Sequence, residues 1–287
     1  MQEQITPTVE PFTYQPAAPI SPFTRSPNDP AWSSGLAVGM WFVSVLLIMF
    51  VPLVFLAPYA ISIAKAYPTT EDMVKQLSTD PFAIALQIAA IIPAHIITLF
   101  LAYLLVTQGR KFPFLETLGW RSGGIRWWHY IVILVGFFSL AALISQVLPE
   151  HETELERILK SSRSAVLLVA FMATFTAPLV EEVIYRGVLF SALQRTIGTG
   201  SAVGLVTFLF TLVHVPQYFE SASTLILLAI LSLVLTLVRV KTDNLLPCVI
   251  LHTLFNGIQS IGLVIGLFLS TDSNTEEAVS TVFFFLK

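Results

Sequence analysis

The chain has 287 residues, of which 55% are hydrophobic and 11% charged, whereas charged residues make up about a quarter of an ordinary soluble domain. The charges stand in short clusters between long apolar runs, which excludes a soluble globular protein and predicts a chain embedded in a lipid bilayer. With a net charge of −3 and no basic run, the sequence also excludes a nucleic-acid partner.

The first 34 residues differ from the rest of the chain. They are rich in proline, mix Ser and Thr with acids, and follow no helical or strand period. This composition predicts a disordered N-terminal tail over residues 1–34. Residues 35–287 are predicted to form a single membrane domain.

Seven apolar runs in that domain are long enough to cross a bilayer as helices, since a crossing needs roughly 20 residues. They are Gly35–Ala64, Pro81–Thr107, Trp127–Pro149, Ser164–Arg195, Ile197–Phe219, Ser221–Val238 and Asn244–Thr271. A further run, Ala278–Leu286, is too short to cross alone. A short interfacial element is expected over Lys111–Arg126 and a polar turn over Arg239–Asp243. The sequence therefore predicts an all-α, polytopic membrane helix bundle with seven to eight transmembrane helices.

The basic residues of the short connections indicate the orientation in the membrane, because Lys and Arg are more frequent in loops on the cytoplasmic side. With the N-terminus inside, the cytoplasmic connections hold Arg110, Lys111, Arg121, Arg126, Arg195, Arg239 and Lys241. The pattern favours a cytoplasmic N-terminus. Together with the short loops, it predicts a multi-pass protein of a plasma (inner) membrane.

A few polar residues fall inside the apolar runs, where a charge costs about 2.5 to 3.5 kcal/mol at the bilayer centre. These residues are Glu181, Glu182, Arg186, His214, His252 and Asn256. They lie on three predicted helices, and each can lower the burial cost of the others only if the side chains converge. The sequence therefore predicts a shared polar cavity within the bundle.

The two adjacent glutamates are predicted to have different roles. Glu182 and Arg186 are four residues apart, so they share a helix face and can form an ion pair. Glu181 lies about 100° further round the helix and can point into the cavity, where a partly buried carboxylate can serve as a general base. The alternative is a pair of interfacial charges at the end of a short helix.

The histidines and the asparagine each have a structural alternative. His214 follows Phe210 by one turn and, taken alone, fits a core histidine bonded to a neighbour. His252 and Asn256 share a helix face, so both can donate hydrogen bonds to one point or simply link two membrane helices. His95 has no polar group at helical spacing except Thr98, and it is predicted to be structural.

The order Glu-Glu-x-x-x-Arg, Phe-x-x-x-His, His-x-x-x-Asn resembles the CAAX prenyl protease and bacteriocin-processing family, the CPBP or Abi family of intramembrane glutamate endopeptidases. The resemblance covers about Ser164–Leu269, a family-like core at residues 164–269, and extends to Leu118-Gly119-Trp120 before a span. It implies that Glu181 and His214 hold and activate the hydrolytic water. It also implies that His252 and Asn256 form the oxyanion hole, with Glu182 and Arg186 orienting the site.

Peptide hydrolysis needs a base for water, a proton for the leaving amine and donors for the oxyanion. A Glu and His dyad supplies the first two, and the His and Asn pair supplies the third. The expected partners are a peptide or protein substrate, including a prenylated CAAX-like tail, and the lipid bilayer. No cofactor and no metal are predicted.

Two other hypotheses remain open. Glu181, His214 and His252 offer two nitrogens and an oxygen, so a zinc-dependent protease is an alternative, although a His-Glu-x-x-His motif is absent. A catalytically silent scaffold or immunity protein of the same fold is the second. The presence of all six motif residues favours the enzyme, because a silent protein can lose Glu181 or Asn256 without losing its fold.

Overall fold

The computed structural model describes residues 26–148 and 152–269, and within these residues the regular structure is helical throughout. The helices are α1 (Ser34–Ile63), α2 (Thr70–Thr79), α3 (Pro81–Ala89), α4 (Ile91–Thr107), α5 (Phe114–Leu118), α6 (Trp127–Val147), α7 (Glu154–Ser161), α8 (Arg163–Phe171), α9 (Ala177–Glu182), α10 (Phe190–Ile197), α11 (Thr199–Tyr218), α12 (Ala222–Thr242) and α13 (Leu246–Leu269). A 3-10 turn follows α1 at Ala64–Ala66, and π-helical turns join α8 to α9 at Met172–Thr176 and α9 to α10 at Val183–Leu189.

Seven helical segments are long and apolar enough to cross a membrane. They are Ser34–Ala66, Pro81–Thr107, Trp127–Val147, Arg163–Ile197, Thr199–Tyr218, Ala222–Thr242 and Leu246–Phe268. The prediction of an all-α polytopic membrane helix bundle is confirmed. The proposed eighth helix at Ala278–Leu286 lies outside the described residues.

The side chains are distributed as a lipid solvent requires. Large apolar residues such as Ile61 and Phe268 are about three-quarters exposed, at 74% and 75%. The interior instead contains small residues that let helices approach closely, among them Ala37, Ala94 and Ala102, which are fully buried. The outer surface of the bundle is therefore apolar, and its polar side chains are concentrated where helices meet.

Two short amphipathic helices outside the spans were not predicted. Thr69 caps α2 by accepting a hydrogen bond from the Asp72 backbone N–H. In α7, Thr153 and Glu156 form a reciprocal capping box, in which each side chain accepts from the other residue's backbone. The sequence contains a capping pattern at the start of each helix, Thr-x-x-Asp and Thr-x-x-Glu. Each helix is too short for its apolar periodicity to distinguish it from a loop.

Residues 26–33, the N-terminal segment, pack against the end of the fourth span. Trp32 is 1% exposed, and its indole N–H donates to the Val188 carbonyl at 3.0 Å. Arg195 pairs with Asp29 at 3.0 Å. The C-terminal end of the predicted tail at residues 1–34 is thus part of the folded membrane domain, whereas residues 1–25 lie outside the described residues.

Arg239 lies inside the protein, and the predicted polar turn at Arg239–Asp243 is wrong in this respect. Helix α12 continues to Thr242, and Arg239 is fully buried. Its Nη2 donates to the Pro27 carbonyl at 2.9 Å and to Ser191 Oγ at 3.2 Å. The long side chain finds these acceptors within the protein, so its charge does not force the helix to end.

Gly123 and Gly124 form a matched pair for testing the turn before α6. Both have positive φ angles, +57° and +83°. A Cβ on Gly123 would lie 2.6 Å from Thr242 Cβ and 2.8 Å from the Thr242 carbonyl oxygen, whereas a Cβ on Gly124 would meet nothing within 4 Å. Gly123 is therefore in close contact with the end of α12, whereas Gly124 is not.

We expect Gly124→Ala to lower the free energy of unfolding by about 1 to 2 kcal/mol, the cost of left-handed backbone for a residue with a side chain. Gly123→Ala should cost more, because the backbone of Thr242 must also move. Thermal unfolding of the two variants in the same detergent measures the difference. Equal melting temperatures would contradict the close contact between this turn and α12.

Candidate active site

The fourth span is not a regular α-helix where it carries the predicted site. In the first π-helical turn the Ala177 N–H donates to the carbonyl of Met172, five residues back. In the same register the carbonyl of Ala173 would accept from residue 178, which is a proline and has no N–H. The Ala173 carbonyl is therefore free to bind a side chain, a common use of π-helical turns at functional sites.

Asn256 on α13 occupies that free acceptor. Its Nδ2 donates to the Ala173 carbonyl at 2.8 Å. An asparagine NH₂ carries two hydrogens, so one is used to link α13 to the fourth span and the other remains available. Asn256 thus links two membrane helices, as its structural alternative expected. Its second N–H is left to donate to another group.

Glu182 and Arg186 form the ion pair expected from their spacing. Arg186 Nη1 lies 2.8 Å from Glu182 Oε1, and neither side chain is exposed. The guanidinium also donates to α12, through Nη2 to Ser232 and through Nε to Thr236 Oγ1 at 3.2 Å. A buried charge of this kind is stable only when its hydrogen-bonding capacity is also satisfied, and α12 supplies the acceptors.

Glu182 has a second partner that was not predicted. His252 Nδ1 lies 2.8 Å from the same oxygen, Glu182 Oε1. Because an ionised carboxylate only accepts hydrogen bonds, Nδ1 carries the proton. Glu182 therefore fixes the orientation of the His252 ring as well as pairing with Arg186, a role that carboxylates often have beside functional histidines.

Glu181 has a different environment from its neighbour. Its side chain is 23% exposed, and its Oε2 lies 3.8 Å from His252 Nε2. Among the described residues, His252 is the one basic side chain within 4.0 Å of this carboxylate. The two successive glutamates are thus directed as their angular offset predicts, with Glu182 buried in a network and Glu181 accessible beside the imidazole.

The charges of this cluster constrain His252. Glu181 and Glu182 together contribute two negative charges and Arg186 one positive charge. Since Nδ1 already donates to Glu182, Nε2 can donate only when the ring is an imidazolium. In that form the four side chains are neutral as a group, which lowers the cost of holding them inside the membrane.

His214 has a fixed tautomer in its neutral form. Its Nδ1 lies 2.7 Å from the Phe210 carbonyl oxygen, and a carbonyl can only accept, so Nδ1 carries the proton. Nε2 then has a free lone pair and can accept a proton from water. The Phe210 ring contacts both histidines, with centroid distances of 4.7 Å to His214 and 6.2 Å to His252.

The predicted residues are therefore brought together to different degrees. Glu181, Glu182, Arg186 and His252 are in direct contact. His214 joins them through Phe210, and Asn256 lies one turn from His252 on α13. Among the described residues, no three His, Cys, Asp or Glu side chains are arranged to hold a metal ion, so the zinc alternative gains no support there.

Several site residues were missed by sequence reasoning. Ser232 and Thr236 bind Arg186, and their spacing of four residues on an apolar helix was a visible signal. His95 was predicted to be structural, and its Nδ1 lies 3.0 Å from Thr176 Oγ1 in the first π-helical turn. No pattern on α4 alone could have indicated that partner.

The sequence from residue 163 to residue 258 matches the family model of Rce1-like type II CAAX prenyl endopeptidases. This match confirms the resemblance to the CAAX prenyl protease and bacteriocin-processing family, and its range includes all six predicted site residues. No curated protein and no solved structure matches the chain. Together with the seven apolar helices, the family match supports a multi-pass membrane protein with a CAAX-type protease activity.

The two glutamates should respond differently to the same substitution. Glu182→Gln should lower the free energy of unfolding by about 3 to 5 kcal/mol, because Arg186 loses its counter-charge inside the membrane. Glu181→Gln is the matched control one residue away, and it should change stability by no more than about 0.5 kcal/mol. Folded yield and melting temperature measure both. Similar losses for the two variants would show that Glu182 has no special structural role.

Proposed function

We propose that this protein is an intramembrane glutamic endopeptidase. The observation that carries the proposal is the contrast between the two glutamates. Glu182 is buried and contacts both Arg186 and His252, whereas Glu181 is 23% exposed and lies beside His252 Nε2. A carboxylate that is open to water, next to an imidazole and within a span has little structural use and fits a general base.

In the proposed reaction, Glu181 and His214 Nε2 hold a water molecule and take its proton as the water oxygen attacks the peptide carbonyl carbon. His252 Nε2–H and the remaining N–H of Asn256 stabilise the oxyanion that develops. The proton then passes to the peptide nitrogen as the C–N bond breaks. The products are a carboxylic acid and a free amine, so the atoms of water and peptide are conserved.

The depth of Glu181 supports cleavage near the membrane surface. A Cβ on Gly187 would lie 3.1 Å from Leu118 of α5, the helix within the segment expected at the membrane interface. Glu181 precedes Gly187 by six residues, which is roughly 9 Å of helix. The carboxylate is thus close to the interface on the side of the N-terminal segment. With a cytoplasmic N-terminus, as the basic residues favour, the substrate is a tail presented from the cytoplasm.

We propose a prenylated CAAX-like tail as the substrate class, because residues 163–258 match a family model of prenyl endopeptidases. The chain also has an apolar groove of about 470 Å³ between α4, α5 and the fourth span, lined by Phe100, Tyr103, Trp120, Leu179 and Val183 among others. Leu179 and Val183 are each two residues from Glu181, about 200° round the helix, so the groove lies on the face of the span opposite the carboxylate.

We expect the purified wild type to cleave a quenched-fluorescence peptide with a farnesylated C-terminal tail, with a lower KM than for the unmodified peptide. Glu181→Gln should abolish turnover because glutamine cannot accept the proton. Cleavage should survive exhaustive chelation, since the proposed base is a carboxylate. Cleavage by Glu181→Gln would overturn the proposal, and loss on chelation with recovery on adding zinc would favour the metalloenzyme.

Asn256→Ala separates chemistry from helix packing. If Asn256 is an oxyanion donor, Asn256→Ala should lower kcat by a factor of about 10² to 10³ with little change in KM. If Asn256 only links α13 to Ala173, the substitution should lower the free energy of unfolding by roughly 0.6 kcal/mol and leave kcat nearly unchanged. Both kcat and the melting temperature are measured on one preparation. Near-normal kcat with a lower melting temperature would remove Asn256 from the catalytic residues.

A further inference from the structure

A hydrogen bond joins the first helix to the span that carries the glutamates. The indole N–H of Trp41 on α1 donates to the Tyr185 hydroxyl oxygen at 3.1 Å. Tyr185 lies in the second π-helical turn and is 5% exposed. Trp41 lies outside residues 163–258, the part of the chain that matches the family model. The contact is therefore between the proposed catalytic segment and a helix to which nothing so far assigns a role.

The Tyr185 ring is also held from a second direction. Phe210 packs edge-on against it, with a centroid distance of 5.1 Å and an interplanar angle of 71°. Phe210 is the residue that contacts His214 and His252. The phenol ring of Tyr185 is thus fixed between α1 and the aromatic contact of the two histidines.

The direction of the Trp41 hydrogen bond determines what the Tyr185 hydroxyl can do. A phenol has one proton and accepts through its oxygen. Because an indole only donates, the Tyr185 oxygen is the acceptor and its own proton points elsewhere. None of the described residues accepts that proton in a hydrogen bond. The hydroxyl is a fixed donor that remains available.

Glu181 is the acceptor that the geometry offers. It precedes Tyr185 by four residues, so the two side chains share a face of the span. Glu181 is itself partly exposed, and among the described residues His252 is the one basic side chain within 4.0 Å of its carboxylate. A carboxylate with so few contacts needs a further donor to hold one orientation.

We propose that Trp41 and Tyr185 are positioning residues for Glu181, with Trp41 orienting the Tyr185 hydroxyl so that its proton is donated to the Glu181 carboxylate through one water. This inference rests on the proposed function for its kinetic consequences. A hydrogen bond to a charged acceptor is stronger than a neutral one, so it restricts the carboxylate to the rotamer in which it can hold the hydrolytic water. The first helix then contributes to catalysis without contacting the substrate.

Two phenylalanine substitutions and their double variant test the arrangement. Tyr185→Phe keeps the ring against Phe210 and should lower kcat by about 10- to 100-fold, the range for losing one hydrogen bond to a charged group, with little change in KM. Trp41→Phe should lower kcat by a smaller factor. The double variant should be no slower than Tyr185→Phe, because Trp41 acts only through the hydroxyl.

Trp32→Phe is the matched control. It removes a buried indole hydrogen bond of 3.0 Å to the same span, at Val188, without touching Tyr185. Its kcat should stay near the wild-type value. An equal loss in Trp32→Phe, or multiplicative losses in the Trp41 and Tyr185 double variant, would overturn the proposal in favour of general packing. A change confined to KM would also overturn it.

A second measurement does not depend on proteolysis. Glu181 is labelled with a water-soluble carbodiimide and glycine ethyl ester, and the modified fraction is followed by mass spectrometry with Glu181→Gln as the blank. Tyr185→Phe and Trp41→Phe should increase the labelling rate several-fold, whereas Trp32→Phe should not. If the wild type cleaves no peptide but the labelling rates differ in this way, the proposed function fails and the contact with Glu181 stands. Identical labelling rates would refute the contact.

Discussion

The site depends on one buried ion pair. Glu182 Oε1 accepts from both Arg186 and His252, so a single oxygen joins the fourth span to α13, and the guanidinium extends the connection to α12 through Ser232 and Thr236. In a bilayer neither charge can be released to water, and separating them leaves an unpaired ion in a low-dielectric medium. Three helices are therefore held at one fixed separation, which is also the separation that aligns His252 with Glu181.

Two identical side chains in succession thus have different surroundings, and we propose different roles for them. The helical offset directs Glu182 into the network and Glu181 toward the accessible side, where its carboxylate lies beside the His252 imidazole. If the proposed general base were also the structural partner of Arg186, its rotamer would be set by the arginine rather than by the substrate.

Much of this was predictable from local spacing. The seven spans follow from the length of apolar runs, and the contact of Glu182 with Arg186 follows from four-residue spacing on a helix. The contact of Glu182 with His252 was not predictable, because it joins residues 70 positions apart and depends on how α13 packs. The free carbonyl of Ala173 had a visible cause in Pro178, but recognising it requires knowing that the helix is in a π register there. Burial of Arg239 likewise depends on acceptors from distant segments.

The spacing of the ion pair also has a consequence for biosynthesis. Glu182 and Arg186 enter the insertion machinery in the same helical turn, so each neutralises the other before α12 or α13 has been made. His252 follows 70 residues later, in the last of the described spans. The nascent chain therefore carries its charges into the lipid as a neutral pair, and the proposed hydrolytic centre is complete only when the final described helix is inserted. On the proposed mechanism, a partly translated chain cannot cut its neighbours.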